Sequence, residues 1–279
     1  MTNFEKIKNY YKHFDEKNRL KNDYSGQLEF LMTMGVLEKY LPDCAVSEIK
    51  ILDLGGGAGA YSIPLAKRGY KVTLADLSEA LVTQAKNQKE ENQIENLVAC
   101  DIVNATDLSC YSEESFDVVL LFGPLYHLTE KEEREICLAE VHRVLKSKGK
   151  IFASFIPHLS GCIALVSRFC WSPDQVSIET LTEAFKSGRF NNLSDKGFQE
   201  GYYPTSEEVE NLFSEHGFEK LLLRSLRGFG YEKEEMIYKF KKRGDFEKII
   251  ELINSTAENK SIIETCGHAI YVGVKGGEK

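Results

Sequence analysis

A short apolar stretch that runs directly into a cluster of glycines is the feature that most constrains this sequence. Residues 51–59 read Ile-Leu-Asp-Leu-Gly-Gly-Gly-Ala-Gly. The apolar run is typical of a buried strand, and glycines permit a tight turn and a close approach of the backbone to a ligand. We therefore interpret the segment as a strand, a turn and the beginning of a helix, the unit from which α/β folds are built.

Apolar strands and amphipathic helices alternate along much of the chain. Continuous apolar strands that alternate with helices predict a doubly wound, mostly parallel sheet in the α/β class. Strands are predicted at 50–54, 71–75, 97–100, 117–122, 150–155, 218–224 and 269–274. Helices are predicted at about 59–68, 79–90, 130–146 and 205–216, the last of which opens with the capping-box sequence Thr-Ser-Glu-Glu.

The regular pattern is interrupted in ways that predict a core with added segments. We expect an N-terminal helical lid segment over 1–45, a core formed by 46–156 and 204–279, and a substrate-side insertion over 157–203. This insertion contains helical stretches at 159–171 and 177–187 and no evident strand. A second helical insertion is expected at 228–262 within the core. Insertions on the C-terminal side of a doubly wound sheet lie near the ligand crevice, which makes them candidate lids.

Net charge, apolar content and cysteine spacing limit the kinds of molecule that the protein is expected to bind. The net charge of −8 gives no general attraction to nucleic acid or anionic lipid, so we expect neither as a partner. No apolar stretch approaches the length of a membrane helix, and the N-terminus is polar and charged, which favours the cytoplasm. The seven cysteines are widely spaced without Cys-x-x-Cys, so no metal site is expected. The sequence indicates no oligomeric state.

The glycine turn alone fits two kinds of cofactor. Gly55 and Gly57, followed by Ala60, also satisfy a dinucleotide fingerprint, and Asp76 at the end of the second strand suits a ribose in either class. Asp53, just before the glycines, would repel a pyrophosphate and attract an amino-acid ammonium group. This favours S-adenosylmethionine, which has no phosphate and carries two positive centres.

Two further features favour the same cofactor. Asp101 follows the third strand, where its carboxylate can bind the exocyclic amine of adenine while Leu77 and Ile102 pack on the ring faces. The helix that includes Glu140 turns at Gly149 into the fifth strand. Capping or strand-ending roles remain the alternatives for Asp53, Asp76 and Asp101.

Taken in order, these motifs resemble the class I S-adenosylmethionine-dependent methyltransferases over about residues 50–274. The resemblance implies a seven-stranded sheet whose last strand inserts antiparallel. It also implies that Asp76 binds the ribose hydroxyls, that Asp101 binds adenine, and that the glycine turn lies beside the methionine moiety. The glycines expected at the cofactor are Gly55, Gly56, Gly57 and Gly59.

The segment after the fourth strand faces the transferred methyl group in this family. It contains Phe122, a cofactor contact by expectation, and then Tyr126 and His127, our candidates for catalysis. It lacks the Asn-Pro-Pro-Tyr pattern of enzymes that methylate nucleobase amines. His127 can serve as a general base near neutral pH, or it can be a structural residue of the turn. We interpret His13, His142, His216 and His268 as structural or exposed.

The N-terminal segment around Tyr11 and Arg19 resembles the front segment of bacterial small-molecule methyltransferases, in which a tyrosine covers the methionine end of the cofactor. A helix that merely packs on the sheet is the alternative. In the first insertion, aromatic residues either line an acceptor pocket or form a small core of their own. The substrate-binding candidates are His158, Arg168, Trp171 and Tyr202.

The sequence therefore favours a methyltransferase that transfers a methyl group from S-adenosylmethionine to oxygen, nitrogen or sulfur of a small-molecule acceptor by in-line displacement. A nicotinamide-dependent oxidoreductase is one alternative. A protein methyltransferase, or a module that binds S-adenosylmethionine without turnover, is another.

Overall fold

The computed structural model describes residues 23–171, 176–192 and 200–276, together with Glu5 and Leu20. Its centre is a seven-stranded sheet in the order β3-β2-β1-β4-β5-β9-β8. Strands β1 to β5 are parallel, whereas β9 is antiparallel to both β5 and β8. The strands are β1 Lys50–Leu54, β2 Lys71–Asp76, β3 Leu97–Ile102, β4 Phe116–Phe122, β5 Leu145–Phe155, β8 Phe218–Ser225 and β9 Ala269–Lys275. The doubly wound fold and the antiparallel last strand are confirmed.

Helices cover the sheet and extend beyond it. They are α1 Tyr24–Tyr40, α2 Ser62–Lys67, α3 Glu79–Glu91, α4 Pro124–His127, α5 Lys131–Val144, α6 His158–Trp171, α7 Ile178–Ser187, α8 Ser206–Glu215, α9 Glu234–Lys239, α10 Phe246–Thr256 and α11 Lys260–Thr265. The predicted capping box of α8 is present, since Thr205 and Glu208 each bond the other's backbone amide. None of the described helices is long and apolar enough to cross a membrane.

Two hydrophobic clusters, one on each face of the sheet, explain why the central strands are continuously apolar. In β4, for example, Val119 and Leu121 belong to one cluster and Val118 and Leu120 to the other, and all four are fully buried. A strand with both faces covered has no solvent side, so its sequence does not alternate between apolar and polar residues.

The first insertion contains strands that its sequence did not indicate. After α6 and α7, β6 (Arg189–Asn191) pairs antiparallel with β7 (Glu200–Tyr202). The expectation of a strandless insertion is therefore wrong, because runs of three residues are too short to show a period of two. Phe190 and Tyr203 are buried in a small cluster formed by this insertion, with ring centroids 6.2 Å apart. For these two aromatics the small-core alternative holds.

Helix α1 joins the second insertion to the core. Asp23 caps its beginning by accepting a hydrogen bond from the amide of Gly26, and Leu41 and Pro42 follow its end. One side of α1 packs Leu28 and Met32 against α9 and α10. Its other side faces the sheet edge where β1 and β4 end.

The strand order reverses between β1 and β4, which are adjacent in the sheet and lead to β2 on one side and β5 on the other. In open α/β sheets this switch point leaves a crevice at the carboxyl ends of the strands, where ligands bind. The glycine turn after β1 and helix α4 after β4 both lie at this edge.

Candidate functional site

Backbone hydrogen bonds fasten the glycine turn to the neighbouring strand. The amides of Gly55 and Gly56 both donate to the carbonyl of Ala75, at 2.8 and 3.1 Å. The turn also lies close to α4: Gly55 has φ of +78°, and an added Cβ would lie 2.6 Å from Cδ of Pro124. Glycine is therefore required at this position by conformation and by space.

Asp53 is a buried carboxylate directly before the turn. It is 1% exposed, and its Oδ2 accepts a hydrogen bond of 2.6 Å from the Ser62 hydroxyl. Its buried Oδ1 has no hydrogen-bond partner among the described residues. Burial raises the pKa of Asp53 to about 6, the hydrogen bond from Ser62 opposes this rise, and the nearby charge of Asp76 adds to it. A carboxylate in this state favours a cation beside it.

Asp76 ends β2 and orders the loops around it. Its Oδ2 accepts a hydrogen bond from the amide of Gly57 at 2.9 Å, and its Oδ1 accepts one from the amide of Ser78 at 2.8 Å. The carboxylate is only partly buried and lies between the glycine turn and the start of α3. It thus holds the turn in place at the same edge of the sheet as Asp53.

Asp101 lies one strand farther along this edge. Its Oδ2 accepts a hydrogen bond of 2.9 Å from the Tyr111 hydroxyl, and burial together with the charge of Asp101 raises the pKa of Tyr111. Ile102 is 52% exposed and Leu77 is half-buried, so apolar surface is available beside this carboxylate. Gly59, with φ of +93°, leads toward α2.

A cavity continues from the glycine turn toward the ends of β4 and β5. At one end it is lined by Asp53, Gly55 and Gly56, and at the other by Tyr126 and Ser154. Aromatic rings form one side. Phe122 contacts Tyr61 edge-on at 5.0 Å between centroids, and Tyr61 stacks on Phe30 of α1 at 5.5 Å.

Helix α1 and the residues before β9 complete this cavity. Glu29 and Thr33 of α1 and His268 also line it. Nδ1 of His268 lies 2.9 Å from Oε2 of Glu29, and the two side chains are 22% and 8% exposed. The ring of Tyr126 lies 6.0 Å from that of His268, measured between centroids. The cavity therefore combines two buried acidic groups with a histidine and a tyrosine.

His127 has a different environment from its neighbour Tyr126. Tyr126 lines the cavity, whereas the His127 ring is 7% exposed and is not among the cavity-lining residues. Burial lowers the pKa of His127 to about 3. A histidine with this pKa is neutral at pH 7 and is a weak base.

The comparison with protein families points to the same residues. Residues 52–153, from β1 to β5, match the model of a methyltransferase domain. This segment of the chain is therefore similar to methyltransferase domains, as the sequence motifs predicted. The residues of the site agree with S-adenosylmethionine as the cofactor. The partnerless carboxylate oxygen of Asp53 fits this cofactor, which carries positive charge on its ammonium and sulfonium groups.

Curated relatives match little more than a third of this chain. The tRNA 5-carboxymethoxyuridine methyltransferase of Escherichia coli is 29% identical over 100 residues, which are 36% of this chain and 38% of that protein. A ubiquinone biosynthesis O-methyltransferase of Coxiella burnetii is 32% identical over 107 residues, which are 38% of this chain and 43% of that protein. The chain thus spans about two fifths of the length of these relatives.

Solved structures resemble this chain over most of its length. A methyltransferase from Methanosarcina mazei aligns with a TM-score of 0.60 and 19% identity, covering 87% of this chain and 98% of that one. Magnesium protoporphyrin IX methyltransferase from Synechocystis, with S-adenosylhomocysteine bound, aligns with a TM-score of 0.57 and 16% identity. It covers 99% of this chain and 100% of that one. At these identities the likeness establishes the fold.

The residues predicted to bind the acceptor do not lie together. His158 begins α6, where its Nε2 lies 3.2 Å from the carbonyl of Phe185. Arg168 is half-buried near the opposite end of α6. Tyr202 lines a separate cleft, with the guanidinium of Arg134 3.8 Å from its ring centroid. None of these three is among the described residues that line the cofactor-side cavity.

Three predicted residues cannot be placed. Tyr11 and Arg19 lie outside the described residues. Trp171 is the last residue of α6, but its side chain is outside the described part. Their roles stay predictions.

The sequence did not single out Glu29, Thr33 or Ser154, and it suggested a structural or exposed role for His268. Glu29 and His268 are 239 positions apart, so no local motif joins them. One signal was available: Glu29 falls on a strongly apolar stretch of α1, where a buried acidic residue needs a partner. Within the described residues, no group of three or more His, Cys, Asp or Glu side chains could hold a metal ion.

Proposed function

We propose that this protein transfers the methyl group of S-adenosylmethionine to oxygen, nitrogen or sulfur of a small-molecule acceptor. The observation that carries this proposal is the cavity that begins at Asp53 and the glycine turn and continues to Tyr126, Ser154 and His268. The end at Asp53 suits the methionine part of the cofactor. The other end lies under α1, between Tyr126, Ser154 and His268.

In the proposed complex, each acidic strand end contacts one part of the cofactor. Asp53 binds the ammonium group, since its partnerless oxygen is buried and a cation there removes the cost of ionisation. Asp76 binds the ribose hydroxyls from its partly exposed carboxylate. Asp101 binds the exocyclic amine of adenine, with Leu77 and Ile102 on the ring faces. The positions of these residues along one sheet edge support the assignment.

Methyl transfer depends mainly on alignment. S-Adenosylmethionine supplies a methyl group bonded to a sulfonium, which is a good leaving group. The protein's part is to hold the acceptor in line with that bond and to exclude water. Glu29 and Thr33 of α1 cover the cavity. Phe122 of β4 and Tyr126 of α4 line its side. We propose that α1 and residues 157–203 act as lids.

A small acceptor is favoured over a nucleic acid. The relatives named above act, by their names, on tRNA and in ubiquinone biosynthesis, so the family alone does not decide. The net charge of −8 gives no general attraction to a polyanion. We propose a cytoplasmic protein because its cysteines are free thiols, which is typical of a reducing compartment.

Cofactor binding is tested by calorimetry with S-adenosylhomocysteine. We expect micromolar-range binding that Asp76→Ala weakens by at least about tenfold, because a charged hydrogen bond contributes roughly 1.5–3 kcal/mol. Asp43→Ala is the matched control, since Asp43 is exposed and lies outside the cavity. Absence of binding by the folded wild-type protein would contradict the proposal.

The acceptor class is tested with S-adenosylmethionine labelled in its methyl group. The protein is incubated with cell extract, which is then separated into small molecules, RNA and protein. Label in the small-molecule fraction supports the proposal. Label confined to RNA or to protein would instead identify a macromolecular acceptor.

A further inference from the structure

His268 and Glu29 form a pair of titratable side chains that has no chemical role in the function proposed above. His268 precedes β9, and Glu29 belongs to α1, so their contact joins the C-terminal part of the sheet to the covering helix. The distance of 2.9 Å between Nδ1 and Oε2 is that of a hydrogen bond. Because an ionised carboxylate only accepts hydrogen bonds, Nδ1 carries a proton, and in the neutral ring Nε2 then has the free lone pair.

The surroundings suit a group that receives a proton. Both residues line the cavity that begins at the glycine turn. The other titratable or charged groups that face His268 are Tyr126 from α4, Asp53 from β1 and Arg227, whose Nε would lie 2.6 Å from a Cβ at Gly267. Within the described residues, no hydrogen bond to Nε2 of His268 is found.

We propose that His268 is the general base of the methyl transfer, that Glu29 positions it, and that the acceptor atom is a hydroxyl oxygen. This proposal rests on the methyltransferase function proposed above. A neutral hydroxyl is a weak nucleophile that gains most from losing its proton as the new bond forms. A base next to the methyl-transfer site therefore indicates an alcohol or phenol.

The step is balanced within the site. The acceptor oxygen forms a bond to the methyl carbon, and the carbon–sulfur bond breaks with its electron pair remaining on sulfur. The hydroxyl proton moves to Nε2 of His268. The resulting imidazolium is stabilised by Glu29, which accepts the hydrogen bond from Nδ1. Water takes up the proton when product leaves.

His268 suits this role better than His127 does. His127 is fully enclosed, and its burial makes protonation unfavourable. His268 lines the cavity and has the buried carboxylate of Glu29 beside it. The two histidines thus differ in their access to the cavity and in having a carboxylate partner.

The first test reads the tautomer of His268 by nitrogen-15 NMR of the protein bound to S-adenosylhomocysteine. We expect the Nδ1–H tautomer in the wild type and a mixture of tautomers in Glu29→Gln. This result does not require a known acceptor, and it leaves Nε2 of His268 as the ring nitrogen that can accept a proton. A wild-type protein with the proton on Nε2 would overturn the proposal.

The second test measures labelled methyl transfer to a panel of simple phenols and alcohols. We expect His268→Gln to lower kcat by at least about 100-fold while changing the dissociation constant of S-adenosylhomocysteine by less than about twofold. The kcat of the wild type should decrease toward acidic pH. His268→Gln should lack this decrease even though it retains Asp53. The control is His216→Gln, since His216 lies on the far side of α8 and bonds the carbonyl of Leu212.

The outcomes separate the two proposals. If His268→Gln has the same kcat and the same pH dependence as the wild type, the proposed role of His268 is overturned and the methyltransferase function stays intact. Transfer only to amines or thiols would overturn the hydroxyl assignment. Loss of S-adenosylhomocysteine binding by the wild type would instead contradict the underlying function.

Discussion

Asp53 is a single residue of the site whose burial as a carboxylate lowers the stability of the folded protein. Its carboxyl is buried and has a single hydrogen bond, from Ser62, for its two oxygens in the described part of the chain. The pKa of about 6, compared with 3.8 for an exposed carboxyl, means that the folded protein binds a proton more tightly than the unfolded chain does. The free energy of unfolding therefore decreases as pH rises from about 4 to above 6.

Asp53→Asn should therefore stabilise the protein without its cofactor at alkaline pH. A shift of about two pKa units corresponds to roughly 3 kcal/mol, and the unpaired amide of Asn reduces the expected gain to about 2 kcal/mol at pH 8. The gain should shrink as pH falls toward 4 and vanish below about pH 3, where the wild-type carboxyl is protonated in both states. Urea unfolding at several pH values measures this difference, with Asp43→Asn as the exposed control. Equal gains at pH 4 and pH 8 would contradict the electrostatic cause.

Gly55 gives a second prediction at this scale. Gly55→Ala places a methyl group 2.6 Å from Cδ of Pro124 at a φ of +78°, so we expect a loss of at least about 2 kcal/mol of stability. Gly35→Ala is the matched control, because Gly35 lies inside α1 and an added Cβ has nothing within 4 Å. That variant should gain roughly 0.5–1 kcal/mol from helix propensity. Thermal unfolding of both variants measures these changes. If Gly55→Ala leaves the stability unchanged, the glycine turn and α4 do not approach each other this closely.

Sequence reasoning can single out a residue when its immediate neighbours contain the signal. Asp53 and the glycines lie in a single run, and an acidic residue at a strand end is visible without knowledge of the fold. Tyr126 was predicted from its position after β4, and it lines the cavity. Glu29 and His268 were not, because their contact exists only after α1 packs against the sheet. His127 drew attention as a histidine, but burial, which the sequence does not show, lowers its pKa to about 3.

At the scale of elements, α1 connects the cavity to the second insertion. Arg227, which follows β8, donates to Ser25 of α1 and forms a 3.0 Å ion pair with Glu234 of α9. The side chains of the ion pair are 13% and 8% exposed, so they are shielded from water. Leu226, next to Arg227, lines the cavity. This network holds α1 over the proposed acceptor site.

Arg227→Gln should loosen that attachment. Removing the guanidinium leaves Glu234 as a buried charge without its ion-pair partner, which costs about 3 kcal/mol. We expect faster amide hydrogen exchange in α1 and α9, with little change in β1 and β4. Arg68→Gln is the control, because its ion pair with Glu38 of α1 is 45% and 58% exposed and contributes less than about 1 kcal/mol. If the two variants exchange alike, the buried network does not secure α1.

At the scale of the whole molecule, the sheet was predictable and the cavity was not. Each central strand is a continuous apolar run, because both faces of the sheet are covered, and this pattern is local in the sequence. The cavity is formed by α1, the glycine turn, α4, the end of β5 and the residue before β9. These parts are distant along the chain, and only the sheet topology brings them together.

The acidic character of the whole molecule leads to a last prediction. S-Adenosylhomocysteine at a hundredfold excess over its dissociation constant should raise the free energy of unfolding by about 2.7 kcal/mol, because it binds only the folded state. Bulk tRNA at physiological salt should add nothing measurable, since the net charge of −8 opposes association with a polyanion. Thermal unfolding with each ligand, repeated at low salt, tests this contrast. Stabilisation by tRNA that weakens as salt increases would show that phosphate contacts form despite the net charge, and would favour an RNA acceptor over a small molecule.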